Sequence, residues 1–158
     1  MDKAKKQEFT RRISSSNRGG MIVVIYDIYF AYQQEALQWF EKGELKEYRA
    51  ALRKAQQAVA VLRNALDFSY PIAKELYPLY QYAIRQLSTG FYRQDTQGIT
   101  AANKVLRGLY GSFAEAARQD TSEPLMKHTQ QIVAGMTYQR GNLTETIQDS
   151  MSSRGFFA

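Results

Sequence analysis

The chain contains no cysteine, which excludes disulfides, thiolate metal sites and cysteine nucleophiles and suits a reducing compartment. Histidine is nearly absent as well: the single one, His128, has no carboxylate in the Glu-x-x-His register that a di-metal bundle needs. A Ser-His-Asp arrangement would have to use that same residue, and no Gly-x-Ser-x-Gly turn occurs. His128 is therefore read as structural or solvent-exposed. No P-loop or dinucleotide fingerprint is present. Gly108 and Gly111 lie inside a helical pattern and are assigned to close helix packing rather than to a phosphate-gripping turn, and Gly98 stands isolated. These absences remove the main catalytic classes. The chain is read as a non-enzyme with no catalytic residue, no metal site and no cofactor.

Long apolar runs are also missing. The longest, Met21 to Tyr32, falls short of the roughly 20 residues that span a bilayer and carries Asp27 in its middle, so it reads as a buried helix. No apolar stretch or small-residue cleavage site directly follows the basic N-terminus, so neither a signal peptide nor membrane insertion is expected. The expected location is the cytosol. The length of 158 residues fits one domain that buries roughly two-thirds of its unfolded surface.

Proline is scarce, with Pro71, Pro78 and Pro124 the only three. Ala, Leu, Gln, Lys, Arg and Glu fill the segments between glycines, which favours helix nearly throughout. Residues 1–20 include Ser14, Ser15, Ser16, Asn17 and Gly19-Gly20 and are read as an irregular arm. The arm is basic: Lys3, Lys5, Lys6, Arg11, Arg12 and Arg18 against Asp2 and Glu8 leave four of the chain's net +6 there. A solvated, mobile arm is the preferred reading, and nucleic-acid binding is the alternative.

The first helix is expected from about Met21 to Lys42, with Ile22, Ile25, Tyr29, Tyr32, Ala36 and Trp39 along one stripe and Gly43 ending it. A second runs from about Leu45 to Leu66. Its apolar positions Leu45, Tyr48, Leu52, Ala55, Val59, Leu62 and Leu66 alternate spacings of three and four, the pattern of a bundle seam. A third starts at Pro71, which suits a first helical turn, and carries Ile72, Leu76, Tyr80, Ala83 and Leu87 on one face. Pro78 should kink it or displace its start, and Gly90 marks its end. The fourth follows Asp95 as N-cap, with Ile99, Ala102, Leu106, Leu109, Phe113 and Ala116 on one side. Short connections between similar helices imply an all-α, antiparallel up-down four-helix bundle over 21–120. Residues 121–158 form a C-terminal helical extension, with segments around Leu125 to Met136 and Leu143 to Met151.

Against these absences stands an aromatic surplus of 11 Tyr and 8 Phe. Tyr26, Tyr29, Phe30 and Tyr32 fall on several sides of the first helix, as Tyr77, Tyr80 and Tyr82 do on the third. One buried stripe does not need so many. Outward aromatics suit a groove that receives an amphipathic helix, and equally suit cover for helix seams or a dimer contact.

In order along the chain, Ile22 to Asp27 with its Ile25-Tyr26-Asp27 end, Lys54-Ala55-Gln56, Leu62, Leu66-Asp67, Ile72-Ala73, Leu76, Leu79-Tyr80-x-Tyr82, Leu87 and Asp95 resemble the landmarks of the FliS flagellar secretion chaperones. The resemblance covers about Phe9 to Ala117. It implies an antiparallel four-helix bundle that binds the C-terminal segment of flagellin in the cytosol of a flagellated bacterium, prevents premature polymerisation and delivers the client to the flagellar export apparatus. It also implies an N-terminal lid over the groove, for which Phe9 and Ile13 lie at the nearest positions. Here Phe9 lacks the family's tyrosine hydroxyl, and Arg18-Gly19-Gly20 replaces a typical Pro-Gly-Glu. The residues expected to line the client groove are Ile22, Tyr26, Tyr29, Leu62, Leu66, Tyr77 and Tyr80. The tail is read as a stabilising helix or a dimerisation segment, with the alternative that Leu143, Ile147, Met151 and Phe156 or Phe157 pack into that groove and compete with the client. A basic nucleic-acid-binding bundle and a self-associating structural dimer are the competing functional readings; no nucleic acid is expected under the chaperone reading, and a homodimer remains compatible with it.

Overall fold

The computed structural model describes residues 1–126, and within them every regular element is an α-helix. Residues 121–126, the start of the expected extension, are not helical, and His128, the remainder of the expected segments and the competing residues lie outside the described residues. Residues 1–125 form one compact unit.

The N-terminal arm is not irregular: Lys3–Ser14 forms helix α1. Asp2 is its N-cap, with a side-chain oxygen 2.7 Å from the Lys5 backbone N–H, and the following Lys, Ala, Gln, Glu and Arg residues are good helix formers. The serine-rich stretch does mark a break. It is short, because Asn17 caps the next helix by accepting from the Gly20 backbone N–H at 2.9 Å. Helix α2 accordingly spans Arg18–Glu41 and takes Gly19 and Gly20 into its first turn. Gly43, at φ +73°, terminates that segment.

Helix α3 covers Leu45–Asn64, and six of the seven seam positions behave as the spacing requires: Tyr48, Leu52, Ala55, Val59 and Leu62 are buried and Leu66 packs on the core from beyond the helix end. Leu45, at the first turn, is exposed. Helix α4 covers Pro71–Arg93, with Pro71 at its first turn and Pro78 inside it without interrupting the element. It runs three residues past Gly90. Its end is instead set by Gln94, at φ 57° and ψ 46°, whose N–H bonds the Gly90 carbonyl at 2.9 Å. Helix α5 covers Gln97–Gln119. Asp95 caps its entry by accepting from the Gln97 N–H at 3.1 Å, although Thr96 occupies the formal N-cap position.

Helices α2 to α5 each pack on two neighbours, α2 on α3, α3 on α4, α4 on α5 and α5 on α2, which closes a four-helix bundle; α1 lies against α2. The glycines divide differently from expectation. A Cβ at Gly98 would sit 2.0 Å from the Gln86 carbonyl oxygen, so the start of α5 approaches α4 as only glycine allows. At Gly108 and Gly111 nothing lies within 4 Å of a Cβ, so close packing does not explain them.

The aromatic surplus is largely a core with polar tips. Tyr26, Tyr29, Tyr48 and Tyr80 are the bulkiest fully buried side chains, and each hydroxyl has a partner, as burial without one would be costly. Tyr29 donates to Asn103 Oδ1 at 2.8 Å, and Asn103 in turn donates to the buried Gln33 at 2.6 Å. Tyr48 donates to the Asp95 carbonyl at 2.6 Å, tying α3 to the α4–α5 connection.

Candidate functional site

The apolar surplus surfaces at one end of the bundle, where the starts of α2 and α4 meet the ends of α3 and α5. A groove of about 540 Å³ opens there, lined by Ile22, Ile25, Leu62, Leu66, Ile72, Leu76, Tyr80, Phe113 and Leu125 among others. Helix periodicity explains the convergence. Ile22 and Ile25 share a face of α2, Leu62 ends the α3 seam, and Leu76 and Tyr80 follow one another on α4. Antiparallel packing brings the apolar ends together, and the six-residue α3–α4 connection, residues 65–70, contributes Leu66, Asp67 and Tyr70 to the groove wall. Its rim carries exposed apolar side chains: Ile72 at 55 % and Tyr70 at 59 % of full exposure.

A second depression of about 470 Å³ adjoins the first on the outer side of α2 and α3, lined by Ile13, Met21, Ile25, Ile28, Tyr32, Ala58 and Val61 among others. Met21 and Ile25 line both hollows. The two hollows share this face of α2 and together make up its apolar furrow.

Of the seven residues expected in the groove, Ile22, Leu62, Leu66 and Tyr80 line it. Tyr26 is fully buried beneath it: its hydroxyl meets that of Tyr80 at 2.8 Å and its ring lies 5.7 Å from that of Phe113. Tyr29 is also fully buried and points its hydroxyl to Asn103. Tyr77 is exposed, outside the groove lining, with its ring 5.8 Å from Phe68. Burial raises the hydroxyl pKa of Tyr26, Tyr29 and Tyr80 above the ordinary 10.0, so these phenols stay neutral into alkaline solution. Sequence reading missed Phe113, Ile25 and Ile72 as lining because their spacing assigns them to core stripes. It missed Tyr70 because that residue belongs to a connection without periodicity.

Phe9 is buried, whereas Ile13 walls the second depression. Helix α1 is held by charge. Arg12 pairs with Asp27 at 2.5 Å, the other Asp27 oxygen accepts from the Tyr110 hydroxyl at 2.9 Å, and the terminal amine pairs with Glu35. Asn17, the N-cap of α2, donates to the carbonyls of Asp120 and Ser122, both at 3.2 Å. The Leu125 N–H bonds the Ser16 carbonyl at 3.0 Å, bringing the chain after α5 back to the groove wall.

Among the described residues no cluster of His, Asp and Glu could hold a metal ion, and no helix is long and apolar enough to cross a membrane. The chain matches the family model described as flagellar protein FliS over residues 1–120, which takes in α1 and the whole bundle. No curated protein matches it.

Proposed function

The chain belongs to the FliS family of flagellar chaperones, and we propose that it holds the C-terminal helical region of flagellin in the apolar furrow along α2, keeps it from polymerising prematurely in the cytosol and aids its delivery to the flagellar export gate. The observation that carries this reading is the apolar groove lined by Ile22, Leu62, Leu66 and Tyr80 with Ile72 and Tyr70 exposed at its rim. So much clustered apolar surface costs solubility unless a partner covers it. Its shape supports a helical client, because apolar residues at successive turns of an amphipathic helix could follow the furrow from one hollow to the next. The groove is mainly apolar in what it offers, so binding draws mainly on buried area rather than charge.

In this reading α1 is an adjustable edge of the furrow rather than a roof. Ile13 contributes to its wall and the Arg12–Asp27 pair holds it there. The same pairing weighs against the nucleic-acid alternative, since Arg12 and the terminal amine already spend their charge on Asp27 and Glu35. Titration calorimetry against the C-terminal segment of flagellin from the same organism, at two salt concentrations, tests the proposal. Tight binding with a negative heat-capacity change and little salt dependence is expected; absence of binding, or steep weakening with salt, overturns it.

A further inference from the structure

The other end of α3 carries a feature that the apolar furrow does not use. Arg49 and Arg53, one turn apart on α3, both place their guanidinium groups over the ring of Phe91 on α4, at 5.4 and 5.1 Å from its centroid. Two like charges one turn apart on a helix repel each other. The usual remedy is a carboxylate between them, and among the described residues none pairs with either. The Nε of Arg49 is buried and has no hydrogen-bond partner. What holds the pair is the face of an aromatic ring, which orients a guanidinium without neutralising it.

The mount is rigid. The Tyr48 hydroxyl lies 3.2 Å from the Gly90 carbonyl and 2.6 Å from that of Asp95, so the turn of α4 that bears Phe91 is anchored on both sides. Tyr92 stands edge-on to Phe91, ring centroids 5.3 Å apart, and is 79 % exposed, the most exposed large apolar side chain among the described residues. Oriented arginines beside an exposed tyrosine form the residue combination that dominates binding energy at protein interfaces. A planar guanidinium fork matches a carboxylate in two-point geometry.

We propose that Arg49 and Arg53, stacked on Phe91 with Tyr92 beside them, form a docking site for an acidic segment of a protein partner, whose carboxylates meet the guanidiniums while a neighbouring apolar residue rests on Tyr92. A carboxylate-bearing segment fits better than a nucleic acid. A strand of phosphates needs a track of cations with free aromatic faces between them, and here the ring of Phe91 is occupied by the arginines themselves. Arg49 precedes Leu62 by 13 residues on α3, about 20 Å along a helix. The site thus lies at the opposite end of α3 from Leu62, although Lys54, next to Arg53, lines the second depression; the proposal does not depend on the client's identity.

The test uses the full chain, labelled with nitrogen-15, and a short peptide of glutamates flanking one leucine. The glutamine version of that peptide and an oligothymidylate of equal charge serve as comparators. The glutamate peptide is expected to shift the Nε–Hε signals of Arg49 and Arg53, and the glutamine peptide to leave them in place. Arg49→Gln/Arg53→Gln should weaken the glutamate peptide by about tenfold or more, whereas Arg85→Gln, at an exposed arginine on α4, should not. Phe91→Leu keeps apolar volume but removes the ring that orients the pair, and should also weaken binding; it decides the matter if the double variant fails to fold. No signal shift, unchanged affinity in the arginine variant, or tighter binding of the oligothymidylate at the same signals would each overturn the proposal.

Discussion

The hydroxyls of Tyr26 on α2 and Tyr80 on α4 lie 2.8 Å apart in the core, directly under the groove that Tyr80 helps to line. Each is the other's hydrogen-bond partner. Removing one strands the other in a buried site, so Tyr26→Phe or Tyr80→Phe alone should cost about 1–3 kcal/mol. The double variant replaces both partners with apolar rings and should lie close to the wild type. Urea denaturation of the four proteins measures this, and additive losses would contradict the pairing.

The same burial sets the alkaline limit of the fold. Desolvation pushes the Tyr48 hydroxyl up from an ordinary value of 10.0 to about 12 and raises Tyr26, Tyr29 and Tyr80 as well. A raised folded-state pKa means stability that is fully present below the unfolded value of 10.0 and lost as pH climbs through the folded one. Stability should hold level through mild alkali and fall progressively between about pH 10 and 12. Thermal melts across that range, with tyrosinate absorbance recorded in parallel, should show ionisation of these four coinciding with unfolding.

Groove and core positions should separate cleanly. Ile72 is 55 % exposed on the groove rim whereas Leu52, at 1 %, sits in the bundle seam. Ile72→Glu is expected to weaken the flagellin segment by about tenfold or more with little change in melting. Leu52→Ala should cost about 2–5 kcal/mol of stability. Calorimetry and melting on both variants check the contrast, and retained affinity in Ile72→Glu would remove that rim from the client site.

Helix α1 should loosen when its latch is cut. Asp27 holds Arg12 with one oxygen and Tyr110 with the other. Asp27→Asn removes the charge that binds Arg12 while preserving size. Hydrogen exchange should then quicken across residues 3–14 and stay slow in α3 and α4. Exchange unchanged in α1 would show that Phe9, not charge, holds it.

Two glycines should respond in opposite directions to alanine. At Gly98 the new methyl would meet the Gln86 carbonyl oxygen at 2.0 Å, so α4 and α5 must part and the loss should be about 1–3 kcal/mol or greater. At Gly108, mid-helix with open space, Gly→Ala should gain about 0.5–1 kcal/mol. Paired denaturation curves decide it.

The periodicity of the chain by itself determined the four bundle helices and most of their core: the seam from Tyr48 to Leu62 and the stripes through Leu76, Tyr80, Ile99 and Leu106 are buried as their spacing demands. Periodicity is a property of one helix, and so it is legible in one segment. Tertiary structure decided the rest, because contact between helices depends on residues far apart in the chain. It made the basic arm a helix by giving Phe9 a place to bury and Arg12 a partner in Asp27. It put Tyr26 and Tyr29 beneath the surface and Ile72 at the rim, though all three carry the same kind of apolar signal. It also distinguished Gly98 from Gly108, since only the neighbouring backbone of Gln86 tells a required glycine from a tolerated one.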